Sequence, residues 1–230
     1  MKFGGLQKLT LLDYPEHVAC TIFTIGCNFR CPFCHNNSLV IGRSESIDTL
    51  SEHEVIEFLT KRKNVLEGVC ITGGEPLLQN GIVEFIKQVK ALGYKVKLDT
   101  NGAFPDRLRE IVEAQLVDYV AMDVKNSREL YAKTVGCGVD IDAICASVEY
   151  LKSGVVDYEF RTTVTGSFHT ENSIEQTAKW LQGAKRWYLQ QFVDSGDLID
   201  NTVVGCNEQT LRKYLEIATK FVPDTQLRGI

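Results

Sequence analysis

The sequence predicts an α/β fold: a partial, open TIM-like barrel of about six β-α units with parallel strands, preceded by an N-terminal strand or hairpin. Two observations carry this. Short β-branched, apolar runs alternate with amphipathic helical patterns along the chain. Polar and glycine-rich segments follow the strands, where parallel α/β folds place their ligands. Length adds a third constraint. Eight units close a barrel near about 250 residues, whereas this chain has 230. A doubly wound open sheet has the same linear pattern, so periodicity alone leaves both architectures open.

Leu6–Leu12 reads as the extra strand or hairpin ahead of the first unit. Val18–Ile25 is β-branched and apolar, as a buried parallel strand should be. Ser51, with Glu54 three residues on, opens a helix by a capping box and turns Val55, Ile56 and Leu59 inward. Gly68–Thr72 is a short strand. Asn80 caps the helix that follows, whose apolar face includes Ile82, Phe85, Ile86 and Val89, and Gly93 stops it. Lys95–Thr100 is a strand, and Pro105 starts the next helix. Tyr119–Val124 is a strand, followed by a helix over Asp140–Ser153 that ends at Gly154. Asp157–Val164 is a strand, and Ser173 with Gln176 opens a capped helix. Arg186–Phe192 is the sixth strand, Asn207–Phe221 the last helix, and Gln226–Arg228 a closing strand. No repeat, low-complexity tract or linker divides the chain, so one domain over residues 1–230 is expected.

Hydrophobic residues make up 44% and charged residues 24%, which fits a globular chain and not a disordered one. A net charge of −5 lacks the basic excess that nucleic acid or a membrane surface would call for, so neither is an expected partner. The N-terminus has no signal-peptide pattern, and no apolar run is long enough for a membrane span. A cytoplasmic protein is expected. In a reducing compartment its eight cysteines are metal-binding, catalytic or buried rather than paired.

Cys27, Cys31 and Cys34 form a Cys-x3-Cys-x2-Cys array in CNFRCPFC, just after the first strand. Three thiolates of one short loop can converge on a small object. Zinc completed by a histidine is one reading. His35 is badly placed beside Cys34, and His17 and Cys20 are the other candidate donors. An iron–sulfur cluster is the other reading. Such clusters take four cysteines, so three leave one iron open to a small ligand. An electron carrier has no use for that opening, but an enzyme does.

CNFRCPFC, with Phe33 as the aromatic residue before the last cysteine, resembles the signature of the radical S-adenosylmethionine (SAM) superfamily. GGEP (Gly73–Pro76) resembles that superfamily's second motif. LQKLTLLDYP, ITGGEPLLQ, LDTNG and MDVK narrow the resemblance to activating enzymes of glycyl-radical enzymes. The resemblance implies that Cys27, Cys31 and Cys34 hold one [4Fe–4S] cluster whose open iron is chelated by SAM. It implies reductive cleavage of SAM to a 5′-deoxyadenosyl radical, which takes hydrogen from a glycine of a partner enzyme. The partner type most resembled is the anaerobic ribonucleotide reductase large subunit, with flavodoxin or ferredoxin as electron donor. The other reading of the same motifs is a radical SAM enzyme with a small-molecule substrate, such as 7-carboxy-7-deazaguanine synthase.

Implied roles follow residue by residue. Phe33 and His35 flank the nucleoside. Gly73 and Gly74 let the backbone approach the ligand, and Glu75 accepts a hydrogen bond from the coordinated amine. Asp123 and Lys125 point to the same face of one strand; Asp123 binds ribose hydroxyls or a cation, and Lys125 pairs with the methionine carboxylate. Asp99, Thr100 and Asn101 help Asp123 build a monovalent cation site. Arg161, a charge inside an apolar strand, contacts SAM or the substrate loop, or forms a buried ion pair. Related activases carry a histidine near the sixth strand; here Leu189–Phe192 has none, which leaves Gln190 or Gln191 to substitute. An iron without a protein ligand is open to oxidation, so anaerobic chemistry is expected.

Cys20, Cys70, Cys137, Cys145 and Cys206 are scattered, so a second cluster is not expected, and Cys20 and Cys70 read as small buried hydrophobes. His53 and His169 read as solvated or loop residues, and Trp180 and Trp187 as core or rim packing.

Overall fold

Parallel pairing links seven strands in the computed structural model, which describes residues 1–41, 48–194 and 196–230. The strands are β1 (Lys2–Thr10), β2 (Ala19–Thr24), β3 (Leu50–Ser51), β4 (Gly68–Gly73), β5 (Lys95–Thr100), β6 (Tyr119–Asp123), β7 (Asp157–Val164), β8 (Trp187–Gln191) and β9 (Thr225–Arg228). They form one sheet in the order β3-β1-β2-β4-β5-β6-β7-β8-β9. β1 lies antiparallel to β2 and β3, and every other pairing is parallel. The edge strands β3 and β9 do not pair with each other, so the sheet is open. The helices are α1 (Asn37–Ile41), α2 (Glu52–Arg62), α3 (Ile82–Ala91), α4 (Pro105–Glu113), α5 (Tyr131–Val135), α6 (Ile141–Lys152), α7 (Glu171–Trp180) and α8 (Glu208–Ala218). None of them is long and apolar enough to cross a membrane.

Strand alternation separates two chemistries. Ile22, Val69, Ile71, Val96, Leu98, Val120, Met122, Phe160 and Leu189 are fully buried in the core shared with the helices. Their neighbours Thr21, Cys70, Thr72, Asp99, Asp123, Arg161, Thr163 and Gln190 line a cavity on the opposite, concave face. Parallel strands are usually apolar on both faces; here the concave face is polar because an open sheet leaves it as the wall of a site.

Local signals explain most boundaries. Ser51 Oγ accepts from the Glu54 amide and the Glu54 carboxylate accepts from the Ser51 amide, the capping box expected for α2. Pro105 opens α4 and Asp140 caps α6. Two expected caps are displaced. Asn80 does not cap α3; Gly81 holds that position in the left-handed region with no side-chain cap bond. Ser173 lies inside α7, whose cap is Thr170. Thr170 and Ser173 form their own reciprocal box, which the Ser173–Gln176 spacing obscured. The predicted last helix ends earlier, at Ala218. Helices α1 and α5 and strand β3 were not predicted, being only five, five and two residues long.

Candidate functional site

The loop carrying the three cysteines leaves β2 through Gly26, whose φ of +87° is a left-handed value that favours glycine. Its path is pinned by the backbone. Gly26 donates to the Leu39 carbonyl at 2.8 Å, Arg30 to Val135 at 2.9 Å and Cys34 to Cys31 at 3.0 Å. The Arg30 guanidinium donates to the carbonyls of Cys27 and Phe29, each at 2.7 Å. All three thiols line a cavity of about 460 Å³ at the carboxyl ends of the strands. Burial pushes the Cys27 thiol up to about 11 and Cys31 up to about 12, and it raises Cys34 as well. Deprotonating them therefore needs a compensating positive charge, which a bound metal centre would supply.

Cys27, Cys31 and Cys34 share one cavity. His17 and Cys20 lie near the start of β2, six residues long, and the array follows its end. At about 3.3 Å per residue that separation removes both as completing ligands. Cys70 also lines the cavity, but three positions below Gly73, where its thiol lies 3.7 Å from Asp99. The donor set therefore fits a three-cysteine cluster with one open position.

The GGEP loop is docked on the cysteine loop. Gly74 donates to Thr24 at 2.9 Å and Glu75 to Gly26 at 2.8 Å. A Cβ on Gly74 would meet the Gly26 carbonyl oxygen at 2.0 Å, and one on Gly73 the Thr24 nitrogen at 2.4 Å. The glycines thus allow backbone to approach backbone, and both also line the cavity. Glu75 is 1% exposed, and its carboxylate accepts from Thr100 Oγ1 at 2.8 Å, the Asn101 amide at 2.7 Å and the Leu77 amide at 3.0 Å. Burial pushes this carboxyl up to about 7, a rise that the three donors limit. Asn101 extends the link: its side-chain amide donates to Asn28 Oδ1 at 2.8 Å and lies 3.7 Å from Cys27 Sγ.

Asp123, Lys125 and Arg161 meet on the concave face, with Lys125 two residues beyond the end of β6 rather than within it. Asp123 Oδ2 accepts from Lys125 Nζ at 2.9 Å and Oδ1 from Arg161 Nε at 2.9 Å. Arg161 also donates to Asp99 Oδ2 at 3.0 Å, and Lys97 donates to Asp99 Oδ1. Asp99 and Asp123, the two aspartates expected to help hold a monovalent cation, are bridged by one side chain. The positive charge between Asp99 and Asp123 is the Arg161 guanidinium. Burial alone would raise both aspartates, but Arg161 with Lys97 or Lys125 outweighs it and holds each below the usual carboxylate range.

Phe33 lines the cavity but is 2% exposed and packs on Phe168, with ring centroids 5.9 Å apart. His35 stands at the rim, stacked on Phe192 at 5.5 Å. Gln190 and Gln191 both line the cavity. His169 is not solvated: it is 3% exposed, and its ring bonds the Thr165 amide at 3.2 Å and the Lys125 carbonyl at 2.9 Å. Burial lowers it to about 4, so this neutral ring fixes the turn beyond Lys125. Trp187 is core and Trp180 packs edge-on against Tyr131. Sequence reasoning missed Asn28, Lys97 and Asn36, whose side-chain amide donates to the Gly73 carbonyl at 3.2 Å. Polar alternation on Lys95–Thr100 was the available signal for Lys97; Asn28 and Asn36 had none.

Residues 21–181 match the sequence pattern of the radical SAM superfamily. The chain is 31% identical over 234 aligned positions to a Methanocaldococcus jannaschii protein provisionally named a glycyl-radical enzyme activating enzyme, covering 99% of this chain and 95% of that one. It resembles a solved domain of pyruvate-formate lyase-activating enzyme from Bacteroides vulgatus, with a TM-score of 0.58 at 17% identity over 70% of this chain and 99% of that one. It also resembles Streptococcus suis SuiB solved with S-adenosylmethionine, with a TM-score of 0.70 at 16% identity over 90% of this chain and 49% of that one. These neighbours share its open, mostly parallel α/β architecture.

Proposed function

The chain belongs to the radical SAM superfamily and, within it, to the glycyl-radical enzyme activating enzymes, and from that premise we propose that it converts a glycine of a partner protein to a glycyl radical. Its superfamily works with a [4Fe–4S] cluster and SAM. One observation carries the reading at residue level. The three thiols open into the same cavity as Lys125, Arg161, Asp123 and the docked GGEP loop.

Cys27, Cys31 and Cys34 would hold the cluster. When bound, it supplies one electron to SAM, whose cleavage yields the 5′-deoxyadenosyl radical that takes a hydrogen atom from the partner's glycine. The chain's own residues bind and orient. Lys125 offers its cation to the methionine carboxylate, and Asp123 holds that cation in place. Glu75 fixes the GGEP loop against Thr100 and Asn101, with its carboxylate at the cavity wall. Gln190 and Gln191 supply hydrogen-bonding groups at the far rim, and His35 on Phe192 forms an aromatic lip. The partner's glycine segment would enter along the open side of the sheet. The motifs favour an anaerobic ribonucleotide reductase large subunit as partner, with flavodoxin or ferredoxin as reductant, in the cytoplasm. Residues 1–230 would act as one domain.

The test is anaerobic reconstitution with iron and sulfide, reduction, and addition of SAM. Release of 5′-deoxyadenosine is expected, and Cys31→Ala should abolish both the cluster absorption and the nucleoside. With the reductase subunit present, a glycyl doublet should appear by electron paramagnetic resonance. SAM cleavage that never yields a doublet on any partner, but turns over a small substrate, would favour the deazaguanine-type reading.

A further inference from the structure

Five charged side chains cross the concave face in an unbroken row: Lys97, Asp99, Arg161, Asp123 and Lys125. The sheet sets their order. Lys97 and Asp99 alternate on one face of β5, Asp123 of β6 is in register with Arg161 of β7, and Lys125 lies two residues beyond Asp123. Every carboxylate oxygen in the row has a nitrogen partner. Asp99 takes Lys97 on Oδ1 and Arg161 on Oδ2 at 3.0 Å. Asp123 takes Arg161 on Oδ1 and Lys125 on Oδ2, both at 2.9 Å. A monovalent metal ion held by these two aspartates would need the same oxygens and would lie against a guanidinium. Three cations against two anions already leave the row one positive charge, the sign that a ligand carboxylate requires. Lys97 is the least accessible member at 2% exposure, and Cys70 Sγ is its other contact at 3.8 Å. A lysine so deep persists as a cation only by virtue of its carboxylate partner.

We infer that Lys97 and Arg161 are the resident cations of this site, so that SAM binds here without a monovalent metal ion. Lys97 is then a positioning residue that acts through Asp99 and Arg161 on Asp123 and Lys125. The inference rests on the proposed SAM site.

The test measures SAM binding to the reconstituted protein in potassium, sodium or tetramethylammonium chloride at matched ionic strength. It also measures the thermal midpoint of the metal-free protein in the same salts. Wild type should show one dissociation constant and one midpoint in all three. Lys97→Met should bind SAM about tenfold more weakly in tetramethylammonium, and potassium or sodium should restore part of that loss by filling the vacated side of Asp99. Lys97→Arg should keep wild-type affinity. Rescue by a metal cation is a response that a merely structural role would not give. Wild-type affinity or midpoint that falls when potassium and sodium are withdrawn overturns the inference, and so does a Lys97→Met loss that is the same in every salt. Should Lys97→Met fail to fold, the wild-type salt series decides alone. Should wild type bind no SAM, the proposed function fails, while the midpoint series still tests whether the row carries its own cations.

Discussion

Glu75 shows how one side chain can be both buried and occupied. Its sequence context suggested a ligand to SAM, and the structure adds that it ties the loop after β4 to the end of β5 through Thr100 and Asn101, while the Leu77 amide of its own loop donates to it as well. In the folded protein its carboxyl sits at about 7, against an ordinary 4.5. The raised value means that folding favours the protonated form. The stability contributed by this group is therefore full below pH about 4.5 and is lost as the pH rises through about 7. Glu75→Gln imitates the protonated form. In urea unfolding of the metal-free protein the variant should gain on wild type across that window, by up to about 3 kcal/mol. A difference that stays constant with pH would show that the three donors keep Glu75 ionised throughout.

At the scale of elements, the helices obey short-range chemistry and the loops obey the sheet. The capping box of α2 is complete in both directions, so Ser51→Ala should cost about 1 kcal/mol, read as a lower urea midpoint with unchanged slope. No change in midpoint would mean that packing of Val55 and Leu59 alone holds the helix. The strands were legible because their outward faces are apolar and β-branched. Lys97, Asp99 and Arg161 interrupt those runs; Asp99 and Arg161 line the cavity, and Lys97 lies buried behind Asp99. The caps of α3 and α7 were misplaced because one turn of sequence offered two capping residues, and only the exit angle of the preceding loop selects between them.

Across the whole molecule, the open sheet must stabilise its last strand without closure. Arg228 of β9 reaches across β8 to Glu159 of β7 with bonds of 2.8 and 2.9 Å, and Tyr119 of β6 donates to the same carboxylate at 2.9 Å. Glu159 is 1% exposed. Arg228→Met would leave that buried carboxylate with a single donor, at a cost of about 3 kcal/mol, or roughly 8 °C in thermal midpoint for a domain of this size. An unchanged midpoint would show that β9 is held by its backbone ladder alone. The same openness leaves a polar concave face accessible to a protein segment, which a closed eight-stranded barrel fills with packed side chains.

The sequence by itself determined the α/β alternation, the three thiols and the loops that flank them, because each depends on a spacing of a few residues along one segment. Only the tertiary structure decided what those residues touch. Gly74 is required by Gly26, forty-eight positions away in the chain. The charge between Asp99 and Asp123 belongs to Arg161, and His169 is buried under the turn that follows Lys125. Those contacts join separate strands whose register depends on the whole sheet, and no local pattern encodes a register between segments that meet only after folding.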